Sequence, residues 1–292
     1  MQVEDDLGYF GKVRLFKKDA KLYIAIWSLG SFSFGISGVI FNLYLKEAGF
    51  SEDFIGFFLS VSMFATAAVA FVAGLLSDKA SRKKIILAAN VVVYISVFVQ
   101  YTTLNPMGLL LSQVFLGLST AFREVAWFPY ITELSTTRER AHLFGFAQGM
   151  SLLGVLAGNL LGGYLPEVFS GMLGIPDGGS LVTAYQYSLW ISLIPSLLAV
   201  LLVTQMTTDT PTSTDIRLAL KSVKNWGFMG KYASAITAVG LGAGMIVMFF
   251  NLYFTHEFPI DSVLLGIIFA VNTLLLSAGN FLAPALADRI SV

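Results

Sequence analysis

Of the chain's 292 residues, 56% are hydrophobic and only 12% are charged, and the mean hydropathy is +0.76. A soluble domain carries roughly 25% charged residues, so this composition points to a lipid bilayer. The 18 Lys and Arg balance the 18 Asp and Glu, and the absence of cysteine excludes disulfides, thiolate catalysis and Cys-ligated metals.

Residues 1–21 are polar and mixed in charge, and read as a cytoplasmic tail. Its segment "YFGKVRLFKKDAK" fits either an interfacial helix or a solvated arm. Eight apolar runs follow, at about 22–45, 54–76, 85–103, 108–131, 143–165, 182–205, 228–254 and 262–286. Each is long enough to cross a hydrocarbon core of about 30 Å as a helix of about 20 residues. None alternates with the period of two that barrel strands require, so the expected fold class is an all-α polytopic membrane protein. The first run is too long for a signal peptide and lacks a small-residue cleavage site, so it reads as a retained helix. With the N-terminus inside, 16 of the 18 bases fall on one side, with Lys46 opposite and Arg123 inside a span. That asymmetry predicts a cytoplasmic N-terminus and gives the bases a role without nucleic acid.

The chain repeats itself. Phe41-Asn42-Leu43-Tyr44 recurs as Phe250-Asn251-Leu252-Tyr253 at an offset of 209, and Gly56 and Asp78 match Gly266 and Asp288 at 210. Runs seven and eight therefore repeat runs one and two. The polar stretch "TTDTPTSTDIRLALKSVKNWG" divides the repeats. The expected organisation is a six-helix bundle over 22–206, a cytoplasmic linker over 207–227, and the first two helices of an incomplete second bundle over 228–292.

Between runs two and three lies "GLLSDKASRKKI". A carboxylate at the C-terminal end of a helix faces the negative end of the dipole, so Asp78 needs a cation or another helix N-terminus. Arg82, four residues on, is one such partner. Lys79, Lys83 and Lys84 equally satisfy the positive-inside rule. Six helices, a basic central loop and this Gly-x-x-x-Asp patch resemble the major facilitator superfamily of secondary transporters, whose loop pattern is G-x-L-a-D-r-x-G-r-k-x-x-l. Gly74, Leu76, Asp78, Lys79, Arg82, Lys83 and Ile86 fall on its positions, with Asp288 and Arg289 as a thinner echo; Ser81 replaces its second glycine, which matters if the turn needs positive φ. The resemblance implies a twelve-helix carrier of which this chain would be the first two thirds. It also implies a cytoplasmic gate at Asp78, a location in the prokaryotic cytoplasmic membrane, and a monomer when full length.

Run five places Gly145, Gly154, Gly158, Gly162 and Gly163 at intervals that let helix backbones approach closely. The spacing resembles the helix-5 motif of drug/proton antiporters, with Asn159 where that motif has proline. Run four departs from the antiporter pattern by carrying Gln113 at its arginine position. Gln113, Gly117, Thr120 and Glu124 share one helical face, with Arg123 beside them, and polar residues in a span face protein or a wet cavity. The stripe is a candidate substrate path, and Arg123 either joins it or snorkels to the interface. Asn42 and Asn251 extend equivalent stripes and are expected as opposite walls of a central site, or else each is satisfied by a neighbouring helix. Glu124 is the candidate proton carrier.

His142 and His256 are placed at opposite faces, so they cannot hold a metal together, and no hydrolase or nucleotide motif occurs. No cofactor is implied and an enzyme is not expected. The expected partners are the bilayer, a small solute and a coupling proton. Proton-coupled efflux of an amphipathic compound leads; uptake of a sugar, organic acid or other metabolite is the alternative, and a channel a remote one.

Overall fold

The computed structural model describes residues 16–77, 81–135, 140–176, 178–207, 225–258 and 260–290. Its first six helices are α1 (Lys18–Glu47), α2 (Glu52–Ser77), α3 (Arg82–Thr102), α4 (Pro106–Leu134), α5 (Arg140–Leu173) and α6 (Val182–Thr204). Local sequence sets several of their ends. Ser81 caps α3 by accepting from the Lys84 amide at 3.3 Å, and Asn105 caps α4 through the Met107 and Gly108 amides, with Pro106 in the first turn.

The second repeat begins with α7 (Trp226–Ile246), a 3₁₀ turn (Val247–Phe249) and α8 (Phe250–Glu257), followed by α9 (Ser262–Ile290). The apolar run 228–254 is thus divided, whereas its repeat mate α1 continues through the equivalent positions. The break follows Gly240, Gly242 and Gly244, three poor helix formers within five residues. Seven helices among the described residues are long and apolar enough to cross a membrane, and α7 is not among them. The chain is an all-α integral membrane protein.

For reference, the near end of the bundle is where α1 begins and the far end is where it finishes. α1 packs along α5 and α6, α2 and α3 pack along α4, and α9 packs along α5, while α1 and α4 scarcely touch. Two buried cores result. The near-end core joins Phe16, Tyr23, Ile86, Trp127, Tyr130, Leu143 and Val203, all from the first repeat and its approach. The far-end core joins Ile36, Ile40, Tyr44, Phe58, Leu109 and Leu189 with Leu252 of α8 and Leu265 of α9. Among the described residues, the hydrophobic core that the two repeats share lies at the far end. Every described residue from Gly227 to Ala243 in α7 is exposed.

Candidate functional site

Close backbone contact fixes the frame of the site. A Cβ on Gly154, Gly158 or Gly162 would lie 2.6, 2.2 or 2.6 Å from the carbonyl oxygens of Ser28, Phe32 and Ile36 on α1. Gly35 answers from α1, where a Cβ would meet the Val155 oxygen at 2.4 Å. Only glycine lets these backbones meet. Gly163 turns to the other side and packs on Ser262 and Gly266 of α9. Gly145 is half-buried. Asn159 donates from Nδ2 to Thr273 Oγ1 at 3.2 Å, while the Ser262 and Ser277 hydroxyls donate to the Gly163 and Gly149 carbonyls. Asn159 thus joins α5 to α9 rather than kinking α5.

At the far end Asn42 Nδ2 donates to Asn251 Oδ1 at 3.0 Å, and both residues are buried. The Asn251 amide also points at the Gly38 and Val39 carbonyls at 3.4 Å. The two asparagines expected on opposite walls are in direct contact, because α8 crosses onto the last turns of α1. Above them lies a cavity of about 680 Å³ bordered by Lys46, Glu47, Glu167, Tyr185 and Asp261.

At the near end, Asp78 and Lys79 lie outside the described residues, as do the side chains of Asp288 and Arg289 in the last turn of α9. Gly74 is half-buried beside Val125. Ser81 has φ of −58°, so the departure from glycine imposes no strain, and its hydroxyl supplies a helix cap instead. Arg82 is buried and forms an ion pair with Glu133 at the end of α4. Sequence reasoning gave Arg82 to Asp78 and missed Glu133. The signal was available, since Glu133 also stands at a helix C-terminus, where a carboxylate needs a cation. Lys83 is half-buried and Lys84 exposed, and neither forms an ion pair among the described residues.

The polar stripe of α4 does not form one continuous lining. Gln113 is buried and meets Gln100 of α3 at 3.5 Å. A Cβ on Gly117 would lie 2.3 Å from the Ser62 oxygen of α2, and its carbonyl accepts from the Thr66 hydroxyl at 2.9 Å. Thr120 is half-buried. The outer part of the stripe is consumed in packing, because α2 and α3 both lie along α4. Glu124 alone in the stripe is exposed, and it borders a cleft of about 60 Å³ with Tyr23, Trp27 and Trp127. Arg123 is half-buried, with its Nε buried and without a hydrogen bond. Of the candidate path residues, the structure joins Asn42 to Asn251 and leaves Glu124 beside Tyr23 and Trp27 of α1. No group of metal-ligating side chains occurs among the described residues.

Comparison with known proteins agrees with this architecture. The family model described as the Major Facilitator Superfamily matches residues 22–292. The quinolone resistance protein NorA of Staphylococcus aureus is 25% identical over 164 residues, which cover 53% of this chain and 42% of that protein. The match therefore spans less than half the length of that curated relative. A bacterial homolog of the human lysosomal transporter Spinster, solved in an inward-facing and occupied conformation, superposes with a TM-score of 0.67 at 16% identity, over 92% of this chain and 61% of that one. A D-xylose–proton symporter superposes with a TM-score of 0.61 at 15% identity, over 97% and 70% of the two chains. With the family model matching nearly the whole chain and the same helical architecture in both solved structures, this chain belongs to the major facilitator superfamily of membrane transporters.

Proposed function

We propose that this chain carries the six-helix half, the linker and the opening helices of the second half of a proton-coupled carrier that exports an amphipathic compound by alternating access. The near end is read as cytoplasmic, a reading that the distribution of basic residues supports. The observation that carries the reading is one-sided closure. Among the described residues the repeats meet in a shared buried core at the far end, where Asn42 bonds Asn251, whereas the near-end core draws on the first six helices and their approach alone. A carrier resting with its cytoplasmic side open has this asymmetry. Similarity to NorA, whose name records quinolone resistance, supports export. Glu124 is the proton carrier in this half, because it is the exposed acid of the α4 stripe.

Uptake of a sugar, organic acid or other metabolite is the second reading, favoured by Gln113 and Asn159 at the two positions where the antiporter pattern is lost. The sign of the driving gradient separates the two. In proteoliposomes acidified inside, an antiporter accumulates its compound as protons leave; a symporter requires the acid outside. Glu124→Gln should abolish accumulation while energy-independent exchange survives. Accumulation driven only by external acid would overturn the export reading, and undiminished accumulation by Glu124→Gln would remove the proton from this residue.

A further inference from the structure

We propose that the near-end cleft between α1, α4 and α5 is a binding site for an organic ammonium group, held by the Glu124 carboxylate against the rings of Tyr23, Trp27 and Trp127. The inference goes beyond the transport reading and holds whichever way the carrier runs.

The rings come first. Tyr23 and Trp27, one helical turn apart on α1, stack with centroids 6.1 Å apart and planes 8° apart. Trp127 of α4 stands edge-on to both, at 4.8 Å from Tyr23 and 6.3 Å from Trp27. Two walls of aromatic surface therefore meet nearly at right angles, and Phe128 adds a fourth ring that is 65% exposed. Aromatic faces carry negative charge density and attract cations, most strongly where water is excluded. Rings alone equally make an ordinary core, so the charge decides the chemistry.

Glu124 is the charged group of this cleft, and no Lys, Arg or His lines it. Among the described residues neither a hydrogen bond nor an ion pair engages its carboxylate. Arg123, next to it in sequence, interacts electrostatically with Glu124, but adjacent side chains diverge by about 100° around a helix, and Arg123 is not among the cleft residues. A carboxylate beside these rings, with no hydrogen bond or ion pair among the described residues, is complementary to a weakly hydrated cation and hostile to an anion. Gln148 offers an amide at the rim.

Size and depth narrow the ligand. The cleft of about 60 Å³ is far smaller than the roughly 300–1,000 Å³ that encloses a drug-sized molecule. It accepts a head group whose tail lies outside. Trp27 is nine residues into α1 and Glu124 ten residues from the end of α4, or about 14 and 15 Å at 1.5 Å per residue. The cleft thus lies about a third of the way along the helices, below their midpoint, at a depth reachable both by a soluble ammonium and by the head group of a bilayer lipid.

The test uses the purified chain in nanodiscs of phosphatidylglycerol, with tryptophan emission as readout. Choline should bind saturably, and its uncharged carbon isostere 3,3-dimethylbutanol about tenfold more weakly or not at all. Glu124→Gln should weaken choline about tenfold, Phe128→Ala by a smaller factor, and Glu257→Gln, outside the cleft, not at all. If a lipid is the natural source, discs containing phosphatidylethanolamine raise the unfolding temperature of the wild type but not of Glu124→Gln. Choline binding without that lipid effect assigns a soluble ammonium. Equal affinity for choline and its isostere, undiminished choline binding by a folded Glu124→Gln, or neither choline binding nor a lipid effect would overturn the proposal.

Discussion

Asp19 at the start of α1 and Thr207 at the exit of α6 are tied by a single carboxylate, which accepts the Thr207 amide and hydroxyl at 3.0 to 3.1 Å. Asp19 is buried, and the Tyr130 hydroxyl of α4 reaches it at 3.5 Å. The chain thus closes its first six helices by joining the residue that opens them to the one that leaves them. Asp19→Asn should cost about 1.5–3 kcal/mol, the range for hydrogen bonds to a charged group. A double-mutant cycle with Thr207→Val, read by thermal unfolding, should show a coupling of at least about 0.5 kcal/mol. Strict additivity would mean that the two residues act apart.

The Arg82–Glu133 pair predicts an asymmetric pattern of damage. Glu133→Gln removes the acid that pairs with the buried Arg82 guanidinium among the described residues; because Glu133 itself is exposed, the loss should be about 1–3 kcal/mol. The charge swap Arg82→Glu with Glu133→Arg should recover part of that loss in the same unfolding measurement. A swap no better than the single change would show that surroundings other than this pair set the cost.

Repeat mates should respond oppositely to the same substitution. A Cβ on Gly35 meets α5 backbone at 2.4 to 3.0 Å, whereas Gly244, at the equivalent position 209 residues later, has no atom within 4 Å. Gly35→Ala should destabilise by about 1–3 kcal/mol through overpacking. Gly244→Ala should be neutral or stabilise by up to about 1 kcal/mol, through helix propensity. Comparison of the two unfolding temperatures checks the sign of each.

Single cysteines test the orientation without interference, since the chain has none of its own. Lys84 and Ser180 are exposed at opposite ends of the bundle. Lys84→Cys should react with an impermeant reagent only from the cytoplasm and Ser180→Cys only from outside. Ser180 serves better than Gly178, whose φ of 78° penalises any side chain. Labelling of Lys84→Cys from outside intact cells would invert the topology.

The positions of the first six helices and the close-packed glycines of α5 were legible in the sequence, because each leaves a periodic trace, whereas the run over 228–254 gave no sign of its division. Which neighbour a given face meets leaves none. Gln113 and Glu124 share a face of α4, yet one is buried against α3 and the other opens to the aromatic cleft, since the helices flanking α4 change along its length. Asp19 read as part of a polar tail because its partner, Thr207, lies 188 residues away. Glu133 was within reach of the dipole argument applied to Asp78, and only the lack of a surrounding motif hid it.

The contact between Asn42 and Asn251 has a consequence for how such a seal could arise. Equivalent positions of two repeats that touch each other lie on the axis that exchanges those repeats, as the self-matching residue does in an isologous dimer. A pair of identical six-helix units would need only one asparagine codon for this closure, because the same change appears on both sides of the axis at once. Joining the units in one chain frees the two codons to diverge. Asn251 also reaches the Gly38 and Val39 carbonyls.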